Sequence, residues 1–249
     1  MKHKKFQHTG ATIVKIGGSL IFDDHGTLKK AKLHSIFNAF SDVIKKNAIY
    51  VLGSGKFMHD LTIKYNLNNR YNPDIRMKGL MLINQMTNKR IVDIGKIFDI
   101  KVTNPMDILY KSTYGDKTSS EIEWFNYDSL SGSPSAIISG AVLDKNIMFA
   151  TISSDTMASH IAINTRSQRI ILATDVDGVL DNKGRTIKEL NINQYARMKF
   201  ISGGMKDKIR RVKPAVEHGI ECYILDGNKA AKYGLQEILN SCTYTKLVG

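Results

Sequence analysis

Two short glycine loops, each directly behind a β-branched apolar run, constrain this chain more than any other feature. Lys15-Ile16-Gly17-Gly18-Ser19 follows Thr12-Ile13-Val14, and Gly53-Ser54-Gly55 follows Ala48-Ile49-Tyr50-Val51-Leu52. Glycine lets backbone N–H groups approach an anion closely, and a following helix N-terminus favours negative charge. Two such loops, one strand–helix unit apart, put anion-binding backbone at the ends of successive strands. The pair suggests a site that handles phosphate groups at two places, as a phosphoryl-transfer enzyme needs.

The rest of the chain continues the alternation of strand and helix. Residues 12–16 and 48–52 read as buried strands, and 169–173 (Arg-Ile-Ile-Leu-Ala) as a continuous apolar strand of the kind buried on both faces. Helical spacing of apolar residues recurs over 28–46, over 77–98 (Leu80, Ile83, Met86, Thr87, Ile91, Ile94) and over 205–217, where Pro214 should kink the helix. A short strand is expected at 100–103, and a pair of strands within 135–151 around Asp144-Lys145-Asn146. Asp155 opens a helix to about Asn164. A strand at 221–225, a helix at 229–239 and a closing strand at 243–248 follow. Residues 104–134 carry no clear period and read as a surface connection, a lid or part of an acceptor pocket, with Ile122, Trp124 and Phe125 as an aromatic anchor. Such alternation predicts an α/β fold, a three-layer αβα sandwich on a mainly parallel central sheet, with ligands at the carboxyl ends of the strands.

A length of 249 residues allows one large domain or two small lobes around a sizeable core. The formal net charge of +13 attracts anions. No basic tract of nucleic-acid type accompanies it, Met1-Lys2-His3-Lys4-Lys5 being short and terminal. Cys222 and Cys242 are the only cysteines, without metal-ligand spacing, so neither a disulfide framework nor a zinc site is expected. No apolar segment precedes Thr12 as a secretory signal would, and no run approaches the roughly 18 apolar residues of a membrane span. A cytoplasmic location is expected, with no nucleic-acid or membrane partner.

Several motifs invite specific chemistry. Gly53-Ser54-Gly55-Lys56 is not a P-loop, because Tyr50 and Phe57 stand where that motif needs glycine and Ser/Thr. Asp175-Val176-Asp177-Gly178 fails as an EF-hand, with Ala173 and Gly184 at the first and twelfth ligand positions. It resembles a haloacid-dehalogenase nucleophile loop better, but too little chain follows it for that fold. Ile201-Ser202-Gly203-Gly204 opens a helix that carries Lys208 one turn in, where an ammonium can neutralise charge on a transferring phosphoryl group. Ser153-Ser154-Asp155 is either an ordinary N-cap or a carboxylate that orients two lysines, or helps position Mg²⁺, between two phosphate groups. His59, on the first turn after the second glycine loop, is either a solvated histidine or a donor to an acceptor phosphate.

Taken in order, Lys15–Ser19, Gly53–Gly55, Ser154-Asp155, Thr174–Gly178 and Gly203–Lys208 resemble the amino-acid kinase superfamily. Phe57-Met58-His59 is similar to the acceptor loop of its isopentenyl phosphate kinase and fosfomycin kinase branch. The resemblance implies an ATP- and Mg²⁺-dependent kinase of a small phosphate monoester, isopentenyl phosphate first, then fosfomycin-like phosphonates or aminomethylfuran phosphate. A non-catalytic nucleotide-binding relative is the other class it allows. It also implies a homodimer, an acceptor-side lobe over 1–165 and a nucleotide-side lobe over 166–249. Lys15 and Lys208 would meet the transferring phosphoryl group, with Asp155 orienting them. Gly17, Gly18, Ser19, Ser54, Asp175, Gly178 and Gly204 would face the nucleotide, and Gly53, Gly55 and His59 the acceptor. No side chain is assigned as a metal ligand. Three departures from the branch stand out. Asp23 and Asp24 occupy the place of a second lysine, which Lys56 could replace. Gly-Ser-Gly forms the second loop, and Ser139-Gly140-Ala141 stands where the branch carries a carboxylate.

Overall fold

A computed structural model describes residues 10–44, 48–67, 73–98, 100–111, 122–130, 135–144 and 149–249. The basic Met1–Lys5 segment and Lys145-Asn146 lie outside them. The strands are β1 Thr12–Ile16, β2 Ala48–Leu52, β3 Lys101–Thr103, β4 Leu109–Lys111, β5 Ile122–Phe125, β6 Ser135–Ile138, β7 Ala141–Asp144, β8 Phe149–Thr151, β9 Arg169–Thr174, β10 Glu189–Asn191, β11 Glu221–Asp226 and β12 Tyr244–Val248. The helices are α1 Gly18–Ile21, α2 Lys30–Ile44, α3 Gly55–Lys64, α4 Pro73–Phe98, α5 Ser154–Asn164, α6 Gly203–Glu217, α7 Gly227–Tyr233 and α8 Leu235–Asn240.

Among the described residues, the main sheet has eight strands in the order β10-β12-β11-β9-β1-β2-β6-β3. All pairings are parallel except β11 with β12. The order reverses at β1, which has β2 on one side and β9 on the other. A crevice therefore forms at the carboxyl ends of β1, β2 and β9, the place where such sheets bind ligands.

Two apolar layers cover the sheet. Ile13, Ile49, Val51 and Leu172 pack with Met157, Ile161, Ile209 and Val212 of α5 and α6. Val14, Ile16, Tyr50 and Ile171 pack on the opposite face with Leu33, Ile36 and Phe40 of α2 and Ala230 of α7. This is the expected αβα sandwich. Strand alternation has a direct consequence: Lys15 shares the face of Ile13, and so turns toward α5 and α6.

Some local expectations are refined. The helix over 77–98 begins four residues earlier, at Pro73, and α6 runs through Pro214 in its final turn. The single helix expected at 229–239 is two short ones, broken at Gly234, whose φ is +89°. Residues 104–134 contribute β4 and β5 to a second, four-stranded sheet, ordered β5-β4-β7-β8. Of the strands within 135–151, β6 joins the main sheet, while β7 and β8 form an antiparallel pair in the second sheet. Phe125 is buried there, as an anchor should be; the Trp124 side chain lies outside the described residues. No helix among the described residues is long and apolar enough to cross a membrane.

Candidate active site

The two opening glycine loops touch each other. Parallel pairing of β1 with β2 brings them side by side, and Gly53 N–H donates to the Ile16 carbonyl at 2.8 Å. A Cβ on Gly18 would lie 2.0 Å from the Gly55 nitrogen and 2.5 Å from its Cα, and one on Gly53 would lie 2.6 Å from the Gly18 nitrogen. Side chains are sterically barred from this junction, so main chain meets main chain. On the other side, Gly17 N–H donates to the Ala173 carbonyl at the end of β9, 2.8 Å away. The first loop is thus tied to both neighbouring strand ends. The N-terminus of α3 starts at Gly55, so its unpaired N–H groups open beside Gly18.

Behind the loops lies a buried charge cluster. Lys15 reaches from β1, Asp155 from the first turn of α5 and Lys208 from the second turn of α6. Lys15 Nζ is 2.9 Å, and Lys208 Nζ 3.5 Å, from the same Asp155 oxygen. All three side chains are about nine-tenths buried. Burial alone would raise the Asp155 carboxyl, but Lys15 and Lys208 outweigh it and hold it down to about 2. Burial, together with the neighbouring Lys15 charge, pushes Lys208 down to about 8 against the opposing pull of Asp155. Two ammonium groups share one carboxylate, and the unbalanced positive charge calls for an anion. The capping question at Ser153-Ser154-Asp155 resolves into two roles: Ser153 Oγ accepts from Asp155 N–H at 3.2 Å and caps α5, while the Asp155 carboxylate turns to the lysines.

The remaining candidate residues stand on neighbouring strand ends and helix starts. Gly203 has φ +55°, and a Cβ on Gly204 would meet nothing within 4 Å, so the α6 N-terminus is open to a ligand. Asp175 is exposed just beyond β9 and accepts from Thr174 Oγ1. Gly178 is buried with φ +156°, and a Cβ there would lie 2.5 Å from Thr245 Oγ1. That hydroxyl also accepts from Val179 N–H and donates to the Ile187 carbonyl, fastening the Asp175–Gly178 turn to β12. Asp177 pairs with Lys229 at 2.7 Å. Ser19 is exposed, and its carbonyl accepts from Lys29 Nζ at 3.1 Å. His59 is exposed on α3.

The sequence departures acquire physical meaning. Asp23 is a turn former: its carboxylate accepts from His25 and Thr27 N–H groups, and those backbone bonds, led by the one from Thr27, lower its pKa. Lys56 is exposed and lies 3.7 Å from the equally exposed Asp24, so it does not enter the buried cluster. Ser139 and Ala141 are buried, and Ser139 N–H continues the strand ladder to the Leu52 carbonyl.

One residue of the neighbourhood escapes motif reading: Arg90 on α4. It is buried, and Nη1 donates to the Ser54 carbonyl at 2.6 Å. Its signal in the sequence is a charge inside a buried stripe, Ile83-Thr87-Arg90-Ile94.

A model of the amino acid kinase family matches residues 10–226. An acetylglutamate kinase of Pelagibacter ubique is 27% identical over 241 residues, covering 87% of this chain and 81% of that protein. Among solved structures, an isopentenyl phosphate kinase superimposes with a TM-score of 0.76 at 19% identity, over 96% of this chain and all of the other. A product complex of the T. acidophilum isopentenyl phosphate kinase gives 0.70 at 18% identity, over 95% and 99%.

Proposed function

The chain belongs to the amino acid kinase family and is a phosphotransferase; from that premise we propose that it transfers the γ-phosphoryl group of ATP to the phosphate of a small monoester, isopentenyl phosphate first, giving isopentenyl diphosphate. The observation that carries the donor half is the pair of buried ammonium groups, Lys15 and Lys208, held by one carboxylate beside two touching glycine loops. The donor set fits a polyphosphate: excess positive charge, N–H groups of a loop, and an open helix N-terminus at Gly203-Gly204. Mg²⁺ fits as an ion carried on the phosphates, with Asp155 as the nearby buried carboxylate; among the described residues no group of three or more acidic, His or Cys side chains gathers to hold a metal. The ion would offset charge on the β- and γ-phosphates.

In this reading an acceptor oxygen forms the new bond to phosphorus while the bond to the bridging oxygen of ADP breaks and its electron pair leaves with ADP. The acceptor is already an anion, so the chain needs no strong base. Its work is positioning and charge neutralisation. Lys15 and Lys208 stabilise the charge that spreads over the transferring group. Asp155 keeps both ammonium groups in place. Gly18, Ser19 and Ser54 present main chain to the donor, while Gly17, whose N–H already bonds the Ala173 carbonyl, instead ties the loop to the end of β9. Gly204 and the Asp175–Gly178 turn serve the nucleotide side, in the 166–249 lobe. Gly53, Gly55 and His59 serve the acceptor, in the 1–165 lobe.

A phosphate acceptor is supported by His59 on the helix that opens from the Gly53–Gly55 loop, and by the fold's similarity to isopentenyl phosphate kinase over nearly the whole chain. A carboxylate acceptor is the second reading, favoured by the likeness to an acetylglutamate kinase. ADP release measured on a panel of isopentenyl phosphate, fosfomycin, aminomethylfuran phosphate and N-acetylglutamate separates them. Turnover on N-acetylglutamate alone sinks the phosphate reading. Stabilisation by ATP with no turnover on any acceptor leaves a nucleotide-binding relative without kinase activity.

A further inference from the structure

We propose that Arg90 is a positioning residue that locks the two glycine loops into one phosphate cradle, a role that rests on reading those loops as the phosphate site. Arg90 leaves α4 and ends between two segments distant in sequence, the Phe22–Gly26 stretch and the loop at Ser54. Nη1 donates to the Ser54 carbonyl in the second glycine loop at 2.6 Å, and Nη2 donates to the Gly26 carbonyl at 3.0 Å. The guanidinium carbon lies 3.8 Å from the centroid of the Phe22 ring, in a stacked cation–π contact. Phe22 closes α1 by donating its N–H to the Gly18 carbonyl at 2.8 Å, and a Cβ on Gly55 would lie 3.2 Å from the Phe22 Cβ. One side chain thus grips the second loop directly and the first through Phe22.

The local backbone is built around this contact. Gly26 has φ +82°, and a Cβ there would lie 2.9 Å from Arg90 Nη2 and 3.1 Å from the Phe57 ring. Lysine cannot substitute, because a point ammonium does not bridge two carbonyls while stacking flat on a ring. The charge matters as well as the shape. Arg90 is 5% exposed, and among the described residues no carboxylate pairs with it. Carbonyl oxygens are the partners seen for a buried cation, which therefore favours an anion held by the Ser54 loop. Burial accordingly lowers its pKa to about 10, still charged at neutral pH.

The test uses Arg90→Lys and Gly26→Ala, the second pushing the guanidinium from a site outside both loops. Amide hydrogen exchange over residues 17–28 and 52–58, and calorimetric binding of inorganic pyrophosphate and a non-hydrolysable ATP analogue, are read beside steady-state kinetics well below the melting temperature. The expected result for Arg90→Lys is exchange at least tenfold faster in both segments but unchanged in α5 and α6. Ligand affinity should weaken tenfold or more, and the KM for nucleotide should rise as kcat falls. Gly26→Ala should give the same pattern at three- to tenfold, and the double variant should be no worse than Arg90→Lys. Wild-type exchange in both segments with wild-type affinities overturns the proposal, as does a loss of thermal stability with KM and affinities unchanged. Failure of the wild-type chain to turn over any acceptor counts against the proposed function only, because exchange and binding still score Arg90.

Discussion

Lys15 on β1 and Asp155 on α5 form a buried ion pair, 2.9 Å between Nζ and Oδ1. Strand alternation turns Lys15 toward the α5–α6 layer, and the Ser153 cap sets the start of α5 so that its first turn presents Asp155 to that face. Lys208 completes the cluster from α6. The cluster sets two positive charges against one negative. Removing Asp155 leaves two uncompensated buried ammonium groups, whereas removing either lysine leaves a balanced pair, so the variants should act on stability and turnover differently.

Lys15→Met and Lys208→Met should each lower kcat on the order of a hundred- to a thousandfold, the loss typical of one preorganised donor to developing charge. Lys208→Met should fold and melt no lower than the wild type, because burial already disfavours its charged form. Asp155→Asn should instead cost about 3–5 kcal/mol by leaving two ammonium groups facing each other. Thermal melts and ADP-release kinetics on purified variants check all three; a turnover loss in Lys208→Met below tenfold would remove it from the mechanism.

The pH dependence has a defined sign. Lys208 is held near 8, below the ordinary lysine value, so kcat/KM should fall as pH rises through about 8 and the ammonium is lost. Stability should move the other way: between about 8 and 10.5 the unfolded chain binds more protons, so folding becomes more favourable with rising pH, a slope that Lys208→Met should lack. At the acid end, Asp155 is depressed to about 2 from 3.8, so its contribution is present above 3.8 and disappears as pH falls through about 2. Melting temperature and kcat/KM recorded from pH 2 to 10.5 test both limbs.

Gly18→Ala and Gly204→Ala make a contrasting pair. A methyl at Gly18 would meet the Gly55 main chain at 2.0 Å, forcing the loops apart, so a fall in melting temperature and a loss of activity beyond a hundredfold are expected. A methyl at Gly204 meets no protein atom within 4 Å, so stability should hold while the KM for nucleotide rises severalfold. Equal melting losses in both variants would contradict this division.

His59→Ala should raise the KM for a phosphate acceptor about tenfold or more and leave the KM for ATP within twofold. Because His59 is exposed on α3, the melting temperature should not change. A rise in the KM for ATP alone would move His59 out of the acceptor site.

The central parallel strands were legible because a buried parallel strand writes a continuous apolar run, and the loops because glycine marks close approach of backbone. Residues 104–134 were not legible: β4 and β5 are three or four residues long and belong to a small sheet completed by β7 and β8 from further along the chain. The stretch 229–239 reads as one helix because its apolar spacing continues across Gly234, whose positive φ is invisible to periodicity. Asp23 and Lys56, weighed as replacements or losses of charge, prove to be a turn former and a surface residue; only their neighbours in space reveal that.

Local sequence by itself determined the glycine loops and the alternation of the central strands with their helices, and therefore the mainly parallel kind of sheet, since each depends on patterns within a few residues. Tertiary structure alone decided that Lys15, Asp155 and Lys208 share one oxygen, that Gly18 touches Gly55, and that Arg90 reaches Ser54 and Gly26 at once. Those meetings join residues far apart in the chain. They follow from sheet order and helix packing, whose long-range geometry no short window of sequence contains.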